Sequence, residues 1–150
     1  MAKAYGKGLG ISTKVSIEIA NYLRGRTTTK AKWILERVLE KKQAIPFKRF
    51  TDGVGHRVGN MASGRYPQKA SAEFLKLIKQ AEANAQAKGL SEDLVINHLA
   101  AHKASSQFRQ GRQRRRKFKR THVEIVVMEM DKPKPKPKQK KSPSSEEKKW

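Results

Sequence analysis

The sequence predicts an α+β domain in which three helices cover one side of an antiparallel sheet and a basic hairpin arm extends from it. Three observations lead there. Apolar residues recur at helical spacing in three separate stretches. Two strand-like runs, beginning at Leu94 and at His122, follow the helices. Between those runs lies Arg-Gln-Gly-Arg-Gln-Arg-Arg-Arg-Lys-Phe-Lys-Arg, residues 109–120, which holds six arginines, two lysines and no acid. So many like charges cannot pack in a core without an anionic partner. Their position between strands makes them the far end of a hairpin.

The elements follow in order. Residues 1–11 are basic and glycine-rich, and read as an extended edge strand or a flexible arm. Ser12 or Thr13 is the candidate N-cap of a first helix with Val15, Ile19, Ala20 and Leu23 on one face, closed by Arg24 and Gly25. A second helix starts after Thr27 or Thr28. Its apolar stripe is Ala31, Ile34, Leu35, Val38 and Leu39, and it ends near Lys42, before Pro46. Trp33 lies off the stripe and is expected to cover a neighbouring element. The third helix begins between Gln68 and Ala70, buries Ala70, Phe74, Leu77, Ile78, Ala81 and Ala85, and stops at Gly89.

Residues 46–67 break the pattern. Phe47, Phe50 and Tyr66 sit among Lys48, Arg49, His56, Arg57, Arg65 and four glycines. The segment is either a solvated insertion or a loop whose glycine backbone approaches a polyanion while its arginines neutralise it. Its glycine spacing is not a dinucleotide fingerprint and does not follow a strand, so no nucleotide cofactor is expected.

Ser91-Glu92-Asp93 forms a turn into the hairpin, residues 94–130. Strict alternation puts Val95, Asn97, Leu99 and Ala101 on one face and Leu94, Ile96, His98 and Ala100 on the other. In the return strand Val123, Ile125 and Val127 share a face opposite Val126, Met128 and Met130. Helices are expected on one side of this sheet, with the other side covered by a partner or by the N-terminal strand wrapping round. If both strands run to the arginines, each arm reaches roughly 60 Å at ~3.3 Å per residue. The distal half then projects beyond the body, mobile when free and ordered when bound. Residues 131–150, with Lys-Pro repeats and a Ser/Glu/Lys end, read as a separate disordered tail after a single domain, 1–130.

The chain has 150 residues, 35 Lys and Arg against 13 acids, and a net charge of +22, which points to a polyanionic partner. The tail carries eight lysines and three acids, so the first 130 residues keep +17 and the tail does not explain the charge. The sequence has no cysteine and no apolar run long enough to span a membrane, and its first residues do not resemble a signal peptide. A cytoplasmic protein without cofactor or metal is expected. His98 and His102 share a strand face without an acidic third ligand, and read as surface or RNA-facing imidazoles rather than zinc ligands. The carboxylates are scattered or placed on helix surfaces, and no nucleophile elbow is present, so an enzyme is not expected.

The candidate RNA-binding residues on the arm are Arg109, Arg112, Arg114, Arg115, Arg116, Lys117, Lys119 and Arg120, joined by His122. On the body they are Lys14, Arg24, Arg26, Lys30, Arg57 and Arg65. Phe108 and Phe118 flank the cluster, either to stack on unpaired bases, to anchor the ribbon, or to pack against each other. Two rivals stand beside this reading: a DNA-architectural protein with basic β-arms, which needs a dimer and apolar arm tips, and a metal hydrolase using His98 and His102.

Three stretches carry a family resemblance. Lys14 with Tyr22-Leu23-Arg24-Gly25-Arg26 resembles the first-helix Lys…Ile-Arg-Gly-Lys pattern of the large-subunit ribosomal protein twenty-two family. Ala81-Glu82-Ala83-Asn84-Ala85 resembles its Ala-x-x-Asn-Ala helix end. Lys119-Arg120-Thr121-His122-Val123 resembles its Lys-Arg-Thr-Ser-His-Ile return strand, with no serine between Thr121 and His122. The glycine-rich insertion resembles the archaeal and eukaryotic branch. The resemblance implies three helices on a three-stranded sheet, bound as a monomer to large-subunit ribosomal RNA near the exit of the peptide tunnel. It also implies neighbouring ribosomal proteins as partners, transient contact with the nascent peptide, and a hairpin tip, Phe108 to Phe118, lining the tunnel wall with Gly111 and Arg112 toward its constriction.

Overall fold

A computed structural model describes residues 1–130, and the expectations for the tail, 131–150, lie outside the described residues. The elements are β1 (Ala2–Leu9), α1 (Thr13–Leu23), α2 (Thr28–Leu39), β2 (Ile45–Pro46), β3 (Gly64–Arg65), α3 (Gln68–Ala87), β4 (Leu94–Lys103) and β5 (Thr121–Glu129). β1, β5 and β4 form an antiparallel sheet in that order, and β2 pairs with β3.

The N-terminal segment is the edge strand of the two alternatives. Its small residues Ala2, Ala4 and Gly6 alternate inward, while Lys3, Tyr5 and Lys7 point to solvent. A Cβ at Gly6 would lie 2.8 Å from Cδ1 of Leu9 and 2.9 Å from Cδ1 of Leu77 on α3, so a larger residue there would have to displace those side chains. β1 therefore widens the sheet instead of wrapping over its outer face. Side chains from elsewhere tie it down. Asn84 Nδ2 donates to Lys3 O at 2.8 Å, and Arg120 Nη1 donates to Gly8 O at 2.8 Å.

All three helices press on one face of the sheet. Ile19, Leu23, Ile34, Leu35, Phe74 and Ile78 meet Ile96, Leu99, Ile125 and Val127 in a single core. Strict alternation fails in β4. A β-bulge between Ile96 and His98 leaves Asn97 as the extra residue, so Leu99 and Ala101 share the core face with Leu94 and Ile96. The bulge turns His98 outward, opposite Val126.

The helix ends separate what side chains announce from what backbone geometry decides. Thr27 caps α2 by accepting from Lys30 N. Ser12 occupies the N-cap of α1 without a side-chain cap bond; its carbonyl accepts from Ser16 Oγ at 2.9 Å. α3 ends as expected at Gly89, with φ +69 and Leu90 N donating to Ala85 O. α2 ends three residues before the expected Lys42. Lys41 takes φ 58, and Lys42 N reaches back to Arg37 O, the same closing motif without a glycine to signal it. Trp33 is 52% exposed, with the Arg37 guanidinium 4.5 Å from its ring centre.

Thr121 joins the sheet to α1. Its fully buried hydroxyl donates to Ile11 O at 2.9 Å and lies 3.0 Å from Thr13 Oγ1. Thr121→Val keeps the shape and strands those partners, and should cost about 1–3 kcal/mol. The denaturation midpoint should fall at an unchanged m-value; an unshifted midpoint would show that the hydroxyl contributes nothing.

Candidate nucleic-acid interface

The regular β4–β5 ladder stops at the Lys103–Thr121 pair. Ten residues of β4 span roughly 33 Å, about half the reach expected if the strands ran to the arginines. Beyond the ladder the hairpin continues through single contacts. Ala104 N donates to Arg120 O at 3.1 Å, Phe118 N to Gln107 O at 2.8 Å, and Arg109 N to Arg116 O at 2.7 Å. Phe108 and Lys117 form a lone bridge. The tip turns between Arg109 and Arg116, with Gly111 at φ 132 and Arg115 at φ 71.

The two phenylalanines are held in a crossed arrangement. The Arg109 guanidinium lies 4.5 Å from the Phe118 ring centre, and Lys117 Nζ lies 4.7 Å from that of Phe108. Each ring takes a cation from the opposite side of the hairpin. Both rings remain open to solvent. The eight arm cations are exposed, and Arg120 is also tied to β1.

Where the arm meets the body, a cleft of about 920 Å³ opens between Arg109, Arg116, Arg120, Lys69 and the first residues of α1 and α3. Both helix N-termini add partial positive charge to that basic concavity. The sequence reading passed over Lys69, which no spacing linked to the arm.

The body candidates gather around α1 and the 46–67 segment. Arg24 Nη2 donates to Leu99 O at 2.8 Å. Arg26 Nε donates to Tyr22 O at 2.7 Å, and its guanidinium lies 4.2 Å from the Tyr22 ring centre. Lys14 Nζ sits 5.6 Å from the Phe50 ring centre, and Arg49 lies 5.4 Å from the same ring. Arg57 rests near Tyr66 and donates to Gly64 O at 3.3 Å, while Arg65 rests near Phe47 and donates to Gly53 O at 3.1 Å. Lys30 stands apart, exposed in the first turn of α2. His122 is half-buried: its Nδ1 accepts from Gly8 N at 3.1 Å and its ring stacks on Tyr5, so it fastens β1.

One side chain escaped the sequence reading: Glu18 lies on α1 but is not one of the surface carboxylates expected on the helices. Glu18 is 2% exposed, and its carboxylate accepts three successive backbone amides. Oε2 takes Lys48 N at 3.2 Å, and Oε1 takes Arg49 N at 2.7 Å and Phe50 N at 2.8 Å. The available signal was an acid between Val15, Ile19 and Tyr22 on one helical stripe. At the surface, Lys42, by hydrogen bond and then by charge, holds the exposed Glu40 carboxyl below its ordinary range, a pairing worth little in water.

The model of the family described as ribosomal protein L22p/L17e matches residues 4–128. The chain belongs to that family. A "Large ribosomal subunit protein uL22" of Methanococcoides burtonii is 48% identical over 103 residues, 68% of each chain. Its namesake in Thermoplasma acidophilum is 47% identical over 103 residues, again 68% of each. That of Halobacterium salinarum is 41% identical over 117 residues, covering 76% of this chain and 74% of the other. These relatives place the chain with the archaeal type of L22p/L17e protein.

Two of the three stretches that resembled the family converge on one structural task in this L22p/L17e chain. Asn84, Arg120 and His122 all hold β1. Among the described residues no group of three or more His, Asp or Glu is placed to hold a metal ion. His98 and His102 lie exposed on the outer sheet face, with His102 opposite His122.

Proposed function

We infer that this chain, a structural constituent of the large ribosomal subunit and not an enzyme, works by binding large-subunit ribosomal RNA. The observation that carries this reading is the arm: eight exposed cations on a hairpin rooted in the sheet, opening onto a basic cleft at the body. Phosphates draw in guanidinium forks, and two faces of one small protein can hold RNA segments that are far apart in sequence. In this reading the body docks near the opening of the peptide tunnel beside neighbouring ribosomal proteins. The single copy extends its arm inward to join RNA domains and line the wall, where the nascent peptide passes. The names of the archaeal relatives support the assignment to the large subunit.

A salt series tests the reading. Binding of the full chain to large-subunit ribosomal RNA and to duplex DNA is compared as salt rises. Eight phosphate contacts imply a log–log slope of about −6 to −7. Ribosomal RNA binding should persist at salt that abolishes DNA binding. Coincident curves would reduce the charge to a generic polyanion footprint.

A further inference from the structure

Glu18 makes a wall. Three consecutive amides pointing at one carboxylate form an anion nest, and here the anion belongs to α1 itself. Those amides are spent on Glu18, so residues 48–50 cannot cradle an RNA phosphate through their backbone. What the clamp does is fix the start of the 46–63 segment against α1. The two enclose a groove of about 580 Å³, within the usual size of a small-ligand site.

The chemistry of that groove differs from the arm. Tyr22, Phe47 and Met61 supply apolar surface, Asn21 and Asn60 supply amides, and Arg26 contributes its guanidinium. Tyr22 is held in place, its hydroxyl accepting from Gln43 Nε2 at 3.2 Å. Arg26 is held by the carbonyl and ring of Tyr22, which presents its guanidinium as a flat plate instead of a freely swinging charge. A flat cation backed by an aromatic ring, with amides beside it, matches an unpaired base: one face to stack on, polar edges to bond. A phosphate would need neither the apolar walls nor the amides. Arg24 and Lys48, also lining the groove, suit the phosphates attached to such a base.

We propose that the groove between α1 and the 46–63 segment takes one unstacked base of the bound RNA, and that Glu18 is the positioning residue that keeps the groove formed. The proposal rests on the RNA-binding function above and adds a site of different chemistry from the arm.

The test uses the full chain and large-subunit ribosomal RNA. Zero-length ultraviolet cross-linking should give base adducts on peptides containing Tyr22 or Phe47–Met61. Arg26→Ala should weaken binding about tenfold, the scale of one lost stacked base. Arg26→Lys should weaken it as much, because lysine keeps the charge and loses the plate. In a Glu18→Ala background Arg26→Ala should cost less than about twofold, and the amides of residues 48–50 should exchange at least tenfold faster. Should Glu18→Ala not fold, Glu18→Gln serves, since one oxygen acceptor is replaced by a donor facing an amide. Adducts confined to the arm, or full rescue by lysine, would overturn the base site. An equal Arg26→Ala penalty in both backgrounds would overturn the role of Glu18. Either result with wild-type binding still selective for ribosomal RNA defeats this inference alone; loss of that selectivity in the wild type defeats the underlying function.

Discussion

Replacing the eight arm cations, Arg109, Arg112, Arg114, Arg115, Arg116, Lys117, Lys119 and Arg120, with alanine is expected to abolish incorporation into large subunits while the free chain still folds. None of these side chains belongs to the core. Their loss removes self-repulsion and two cation–ring contacts, together with the Arg120 tie to Gly8, effects of order 1 kcal/mol each and partly opposed. On RNA the effect is far larger. Each neutralised phosphate contributes about 0.7–0.9 to the salt slope, so the slope should flatten by about 6–7 and affinity should fall by several orders of magnitude. Reconstitution of subunits from ribosomal RNA and purified proteins, with the thermal midpoint of the free variant as control, reads both sides. Normal incorporation would sink the arm's role. A collapsed midpoint would mean that the arm is part of the fold.

Phe74→Ala should do the opposite, destroying stability without touching the basic surface. The ring is fully buried in the core where α3 meets the sheet and its neighbouring helices. Truncation removes its buried area and leaves a cavity, a loss of about 3–5 kcal/mol against the 5–15 kcal/mol typical of a domain. Urea denaturation should show a large drop in midpoint at an unchanged m-value. At the lower end of domain stability the variant would be largely unfolded at 37 °C. A loss below about 1 kcal/mol would mean that the core around α3 repacks freely.

Periodicity made the body legible. Ile34, Leu35 and Val38 on α2, and Phe74, Ile78, Ala81 and Ala85 on α3, repeat at helical spacing and are buried as that spacing requires. Val123, Ile125 and Val127 did the same for β5. What stayed illegible were features that leave no period. The bulge at Asn97 exchanges the faces of β4 through one extra residue, and a bulge needs no marker residue. Lys41 ends α2 in a left-handed conformation that normally advertises itself with glycine. Glu18 was hidden because the partners of its carboxylate are backbone amides 30 to 32 residues away, and amides have no sequence. The basic candidates were visible as charge. Their division into an open arm, a cleft at its root and a groove behind α1 needed coordinates, because charge count carries no direction.

Among the described residues the sheet has β1 at one edge, paired with β5. Gly8 and His122, which bond across that pair, stand 114 residues apart. A ribosome therefore makes β1 well before its partner β5. At about 5–20 residues per second, β1 waits roughly 6–23 seconds before its partner exists for it to pair with. During that interval it is an open edge able to template strand pairing between neighbouring chains, and Lys3 and Lys7 on its outward face discourage that encounter. The same lysines remain on the outer face of the finished sheet. Closure of the sheet therefore waits, in each chain, until β5 has been made.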